Sequence, residues 1–248
     1  MLANVFSTAV IGVDASIVEV EVDITSGLPS LTIVGLPEAS VKESRERVKS
    51  AIQNSGFRFP DDRITVNLAP ANLKKEGTGL DLPIAMGVLA ATGLVAQESL
   101  KTCMILGELS LDGRVKPVTG SLPAAMAAQK NRLSTVMVPS GCAAEAAVVG
   151  GIDVIPLNYL YEALEYVRGE RVIEPVRTSV AALLKPSLEP AHNFSEVMGQ
   201  ELAKRALEIA AAGGHNLLML MLQYLKAIIT LKGGHPQWNY STTSSVHN

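Results

Sequence analysis

The sequence predicts an α/β domain built on a mixed sheet, followed by an incomplete second unit. Three observations carry that expectation. Apolar residues alternate with period two along 18–24 and then recur at helical spacing from residue 38, and the two patterns exchange with short connections to about residue 167. The early strands follow one another without intervening helices, which points to a mixed rather than a purely parallel sheet. After residue 168 prolines break the alternation, and only one helix–strand pair follows.

Val18, Val20, Val22 and Ile24 interleave with Glu19, Glu21 and Asp23, a strand with one face in a core and one in water. Ser26-Gly27-Leu28-Pro29 reads as a turn, and Leu31–Val34 as a second strand ended by Gly35-Leu36-Pro37. From Glu38 a stripe of Val41, Val48 and Ile52 predicts a helix, with Lys42/Glu46 and Glu43/Arg47 paired four apart on its wet side, stopped at Ser55-Gly56. Ile64–Leu68 reads as a strand. Asp81–Ala91 is apolar or small on nearly every side and predicts a helix buried all round, with Asp81 as its N-cap and Pro83 in the first turn. Then come a strand at 102–106, a turn centred on Asp112-Gly113, an alanine-rich helix at 122–130, a strand at 135–138, a small-residue helix at 143–149, a strand at 152–155 and a helix at 159–167. These residues, 1–168, form the first expected domain. Glu174-Pro175, Lys185-Pro186 and Glu189-Pro190 mark a linker over 169–192. A second unit over 193–220 begins with a helix from Gln200 to Ala212, stopped by Gly213-Gly214, and a strand at 217–220. The remainder, 221–248, reads as an unstructured tail.

Composition narrows the function classes. With 21 basic and 24 acidic residues the formal charge is −3, without the global positive excess of a strongly basic nucleic-acid binder. Hydrophobic residues at 48% exclude a disordered chain. Two cysteines form no disulfide framework, and Cys103 sits in the apolar run Cys103-Met104-Ile105-Leu106, as a core residue would. The four histidines have no metal-ligating spacing. The apolar stretch 217–231 is interrupted by Gln223 and Lys226 and is shorter than the ~20 residues of a membrane span, so a cytoplasmic location is expected.

No histidine occurs in 1–168, which removes a histidine-based triad from the first domain and leaves a Ser–Lys pair as the open hydrolytic alternative. Gly77-Thr78-Gly79 precedes the buried helix and reads as a flexible turn in preference to an anion site. No Gly-x-x-x-x-Gly-Lys pattern occurs. Basic residues crowd at Lys42, Arg45, Arg47, Lys49 and Arg58, with a doublet at Lys74-Lys75. Arg45, Lys49, Lys74 and Lys75 are the candidate nucleic-acid contacts, although Glu43, Glu46 and Glu76 among them favour a solvated face.

Several segments together resemble the ComM/YifB branch of the magnesium-chelatase-like AAA+ ATPase family. They are Val34-Gly35-Leu36-Pro37-Glu38, Asn67-Leu68-Ala69-Pro70-Ala71, Lys75-Glu76-Gly77 with Asp81-Leu82-Pro83-Ile84-Ala85, Gly107-Glu108-Leu109, Val197-Met198-Gly199-Gln200 and Lys204-Arg205-Ala206-Leu207-Glu208. The resemblance covers about residues 1 to 220. It implies a first domain with the fold of ribosomal protein S5 domain 2, as in the Lon proteolytic domain, and a following P-loop AAA+ motor that assembles into hexameric rings. It implies ATP and Mg2+ as cofactors of the full-length family. DNA and full-length subunits are its implied partners, with branch migration in natural transformation as its activity.

Two departures from the family pattern bear on chemistry. Where a Lon-type peptidase carries its nucleophilic serine, this chain has Gly79, and where it carries its lysine, Leu122. Peptidase activity is therefore expected to be absent. Val197, Gly199 and Gln200 match the part of the motor that lies near the adenine. The family's phosphate loop then has no counterpart at Met221-Leu222-Gln223-Tyr224-Leu225. The resemblance thus leads us to expect a truncated member with only the beginning of its motor and no ATP hydrolysis or resident cofactor of its own. A stand-alone module that binds DNA or full-length subunits is the alternative, and a cryptic Ser–Lys hydrolase the second.

Overall fold

A computed structural model of the chain describes residues 1–12, 14–178 and 194–219, together with the backbone of 227–232 and 235–240. The chain divides into two units, Met1–Lys185 and Pro186–Asn248.

The first unit opens with a long hairpin of β1 (Leu2–Ile11) and β2 (Asp14–Thr25), paired antiparallel from Leu2↔Asp23 to Ile11↔Asp14. The alternation at 18–24 predicts β2 but not β1. The inward residues of β1 are Ala3, Val5, Ser7 and Ala9, mostly small or polar, while Phe6 points the other way, so its hydrophobic signal is weak. There follow β3 (Ser30–Val34), α1 (Ala39–Asn54), β4 (Arg63–Ala69), α2 (Asp81–Ala91) and the single turn α3 (Gln97–Leu100). Next are β5 (Cys103–Ile105), β6 (Glu108–Leu109), β7 (Val115–Lys116), α4 (Ser121–Lys130), β8 (Thr135–Pro139), α5 (Ala143–Ala146), β9 (Asp153–Leu157) and α6 (Leu160–Val167). The helix expected over 143–149 is shorter than predicted.

Seven strands form one sheet in the order β3-β4-β2-β1-β5-β8-β9. β2 runs antiparallel to both β1 and β4, and the other pairs are parallel, so the sheet is mixed as the sequence predicts. Along β5 and β8 alternate residues feed two cores. Ile105 and Met137 pack with α1, α2 and α6, whereas Met104, Val136 and Val138 pack with α4 and α5. Over β3 and β4 only the first core exists; Ala15 and Ile17 at the start of β2 still pack on the second core, and beyond them the same face carries Glu19, Glu21, Thr32, Thr65 and Asn67.

Every residue of α2 is buried, the all-round burial that its composition predicts. The helix lies so close to the sheet that a Cβ on Gly87 would stand 2.6 Å from Val22 Cγ2. Asp81 does not cap it. Leu80 occupies the N-cap, and Asp81, fully buried, turns its carboxylate sideways.

Part of the expected linker belongs to the first unit. Val176 N donates to Val154 O at 2.9 Å, Arg177 pairs with Asp153 at 2.7 Å, and Arg171 pairs with Glu162 at 3.1 Å. The ordered unit therefore extends beyond 168.

In the second unit a 3-10 turn (Phe194–Glu196) precedes α7 (Glu201–Gly213). Gly214 ends the helix in the left-handed region at φ 63°, and His215 N donates back to Ala210 O at 2.9 Å. Leu217 and Met219 pack on Ala210, but 215–219 form no strand, and Leu220 lies outside the described residues. The expectation of an unstructured stretch over 221–248 needs correction. β10 (Ala227–Lys232) and β11 (His235–Tyr240) pair antiparallel, from Ala227↔Tyr240 to Lys232↔His235. Residues 220–226, 233–234 and 241–248 lie outside the described residues.

Candidate functional site

Three loops meet beside the start of α2. They are Gly77-Thr78-Gly79 before α2, Gly107 with Glu108 after β5, and Val118–Ser121 before α4. Gly107 N donates to Gly79 O at 2.9 Å and Leu82 N donates to Gly107 O at 3.0 Å, which stitches the first two loops together. The Thr78 hydroxyl donates to the Glu108 carboxylate. Asp81 N is occupied by Thr78 O at 3.2 Å. With Asp81 N and Leu82 N both engaged, these two amides of the first turn of α2 are not free to hold an anion.

Gly79 is not a glycine by steric need. A Cβ built there meets nothing nearer than Val118 Cγ1 at 3.9 Å, and its φ lies outside the left-handed region. The place has room for a side chain and carries none. Val118 also brings the third loop to this spot. Four residues on, Leu122 lies in the first turn of α4, half-buried, with its amide donating to Glu145 Oε1 at 3.2 Å. Neither position offers a nucleophile or a base. The neighbouring Ser121 hydroxyl is buried and has no hydrogen-bond partner. Within the described residues of the first unit, no serine hydroxyl bonds a lysine ammonium, the contact a Ser–Lys hydrolase needs.

Behind the loops lies a buried ion pair that the sequence reading missed. The carboxylate of Asp81 accepts Arg47 Nε at 2.7 Å, Arg47 Nη2 at 3.0 Å and Leu109 N at 3.2 Å, and also the Ser44 hydroxyl. The hydrogen bond to Asp81 raises the Arg47 pKa further above its ordinary value. Arg47 thus leaves its expected surface partner Glu43 and joins α1 to α2, while Asp81 itself ties α2 to β6. The spacing of Ser44 and Arg47, three apart on one helix face, was the available signal.

The candidate nucleic-acid residues separate. Lys75 is fully buried, and its ammonium donates to Gly35 O at 2.9 Å and to Pro70 O. Burial lowers its pKa below the ordinary lysine value. It faces inward and cannot meet a phosphate, which corrects the reading of the Lys74-Lys75 doublet. Lys74 is exposed but paired with Glu38 and with Glu76 at 3.0 Å. Arg45 and Lys49 do come together. They line a notch of about 190 Å³ with Phe59, Pro29 and Pro60, and Lys49 Nζ stands 6.0 Å from the Phe59 ring centre.

In the second unit Val197, Gly199 and Gln200 lead into α7. Gly199 and Gln200 both take the left-handed conformation, at φ 65° and 60°, and Val197 is exposed. Among the described residues no group of three or more His, Cys, Asp or Glu is placed to hold a metal ion. Nor is any helix among them long and apolar enough to cross a membrane. Cys103 and Cys142 are buried and unpaired.

A larger groove went unnoticed in the sequence. It has a volume of about 720 Å³ and lies along the β6–β7 hairpin, lined by Ser110, Leu111, Arg114, Lys116, Asn158 and Tyr159 among others. Only the Asp112-Gly113 turn signalled the hairpin that forms it.

Comparison with known proteins adds the family. Residues 20–141 match the family described as "Subunit ChlI of Mg-chelatase", and residues 193–222 the one described as "Magnesium chelatase, subunit ChlI". Competence protein ComM of Haemophilus influenzae is 42% identical over 227 residues, covering 88% of this chain and 43% of that protein. The uncharacterised protein YifB of Escherichia coli is 41% identical over 219 residues, covering 88% of this chain and 42% of that protein. Lon protease of Mycolicibacterium smegmatis is 27% identical over 197 residues, 75% of this chain and 23% of the protease. The chain therefore spans less than half the length of the curated relatives it matches. The chain belongs to the magnesium-chelatase-like family that includes ComM and YifB.

Proposed function

We propose that the first unit is a Lon-type module, of the ribosomal-protein-S5-domain-2-like class, that has lost its peptidase dyad and serves a DNA-acting AAA+ ATPase as a binding or regulatory part. The observation that carries this reading is Gly79. It stands at the meeting of three loops with space for a side chain and no steric reason to be glycine. Leu122, at the start of the adjoining helix, supplies no base. The mixed sheet and the 27% identity to a Lon protease are in keeping with the fold.

In P-loop NTPases, phosphoryl transfer relies on a phosphate loop whose lysine cradles the β- and γ-phosphates. No Gly-Lys dipeptide occurs in the 248 residues, and Val197, Gly199 and Gln200 would form only the adenine side of a nucleotide site. On this reading ATP and Mg2+ belong to the full-length family. So do the ring of subunits and the DNA reaction in the cytoplasm.

The test is direct. Purified chain is assayed for hydrolysis of unfolded casein and fluorogenic peptides, and for magnesium-dependent ATP turnover with single- and double-stranded DNA. No turnover above buffer is expected in either assay, and turnover in one of them overturns the corresponding half of the proposal.

A second reading, DNA contact by the first unit itself, is favoured by the shared notch of Arg45, Lys49 and Phe59. Two cations beside an aromatic ring fit a phosphate and a base, although Glu46 and Asp61 line the same notch and offset its charge. Binding of a labelled oligonucleotide that weakens with salt and is lost in Arg45→Glu/Lys49→Glu supports it. Undiminished binding by that variant contradicts it.

A further inference from the structure

We propose that the groove along the β6–β7 hairpin binds an extended, acidic polypeptide segment. Three features of the groove carry the proposal, namely its rigidity, its unmet polar and apolar groups, and its charge.

The hairpin is pinned on both sides. Val115 N donates to Asn158 O at 2.8 Å and Leu160 N to Gly113 O at 2.8 Å, tying it to the turn between β9 and α6. On the other side Asn54 Nδ2 donates to Leu111 O at 2.7 Å. At the tip, a Cβ on Gly113 would stand 2.2 Å from Ser55 Oγ, and its φ of 83° favours glycine as well. A groove held this firmly is pre-formed, and binding there forfeits little ordering entropy.

Its lining is also incompletely satisfied. The Ser110 hydroxyl is buried without a hydrogen-bond partner. Leu111 is 55% exposed, and the exposed Pro117 and half-buried Tyr159 extend the apolar surface.

Charge decides between macromolecules. Arg114 is neutralised by Asp112, Nε to Oδ2 at 2.7 Å. Among the described residues the exposed Lys116 has no ion pair, so the lining presents one cation not matched by a carboxylate there. A nucleic-acid strand brings a phosphate at every nucleotide and needs a row of cations. One cation among apolar side chains suits a peptide that brings a carboxylate and an apolar residue. The lining residue Pro117 is followed in sequence by Val118, which stands beside Gly79. A segment lying there meets no nucleophile. Binding does not depend on the lost-dyad reading; only survival of the bound segment does.

The experiment titrates the full chain into three fluorescein-labelled probes and reads anisotropy. The probes are a twelve-residue peptide alternating Leu and Glu, its Leu–Lys counterpart and a twelve-nucleotide oligothymidylate. The Leu–Glu peptide is expected to bind and the Leu–Lys peptide not to. Lys116→Glu and Leu111→Asp, both on exposed side chains and checked for folding by circular dichroism, should each weaken binding about tenfold. The proposal is overturned by absence of binding, by equal binding of both peptides, or by folded variants that bind like the parent. Oligothymidylate binding that is lost in Lys116→Glu overturns it in favour of nucleic acid. Mass spectrometry of the recovered Leu–Glu peptide separates the two readings. Cleavage of a bound peptide refutes the lost dyad while leaving the groove in place.

Discussion

Replacing Arg47 by methionine removes one partner of the most buried ion pair among the described residues of the first unit. Asp81 is fully buried and Arg47 is 22% exposed, so solvent cannot take the place of the lost guanidinium at the carboxylate. The variant loses bonds of 2.7 and 3.0 Å and leaves the carboxylate with Leu109 N and the Ser44 hydroxyl. Breaking a buried pair from one side costs about 3–5 kcal/mol. The two surviving bonds place Arg47→Met near the lower end, at about 3 kcal/mol. That is a large share of the roughly 5–15 kcal/mol that holds a domain folded. Urea unfolding followed by circular dichroism should show a midpoint lower by about 1.5 M with an unchanged slope, for a slope of about 2 kcal/mol/M. Arg47→Lys should fall between, because an ammonium cannot bridge both carboxylate oxygens as a guanidinium does. A loss below about 1 kcal/mol for Arg47→Met would refute the reasoning and make Asp81 independent of its arginine.

Other substitutions probe the rest of the frame. Gly87→Ala should destabilise by about 1–3 kcal/mol through crowding of Val22, although alanine in a helix interior gains about 1 kcal/mol over glycine; thermal melts check the sign. Gly79→Ser should change stability by less than about 0.5 kcal/mol and confer no peptidase activity, because Leu122 cannot take the proton. Lys75→Met should destabilise, since it leaves Gly35 O and Pro70 O without their donor. Its pH dependence has a definite sign. Burial lowers the folded pKa of Lys75, so the unfolded chain binds more protons in the window between that value and the ordinary lysine value of about 10.4. The parent's stability should therefore rise relative to Lys75→Met as pH climbs through that window. Paired urea titrations across it measure the difference.

Periodicity made most of the framework legible. The alternation of β2, the stripe of α1 and the uniformly apolar α2 are each written in residue spacing, and the structure places them where spacing puts them. What spacing hides is the direction of single polar side chains. Lys75 reads as half of a surface doublet, yet the turn at Gly35 and the chain at Pro70 converge on its ammonium, and only the fold brings those carbonyls together. Asp81 has the position of a cap and serves as the acceptor of an ion pair from another helix. β1 escaped because its buried face is built from Ala3, Ser7 and Ala9 as much as from Val5. Of the candidate site, Gly79 and Leu122 were identified from the family pattern alone. The approach of Val118 to Gly79, and the groove along the β6–β7 hairpin, emerge only in three dimensions.

The central claim is that Gly79 and Leu122 occupy facing positions of a vanished dyad. Cysteines placed at both, Gly79→Cys/Leu122→Cys, test it most directly, because native Cys103 and Cys142 are buried. Treatment with a short bifunctional thiol reagent, followed by proteolytic mass mapping, should give an intramolecular link in the double variant and none in either single variant. A folded double variant whose two thiols react separately and never join would contradict the account.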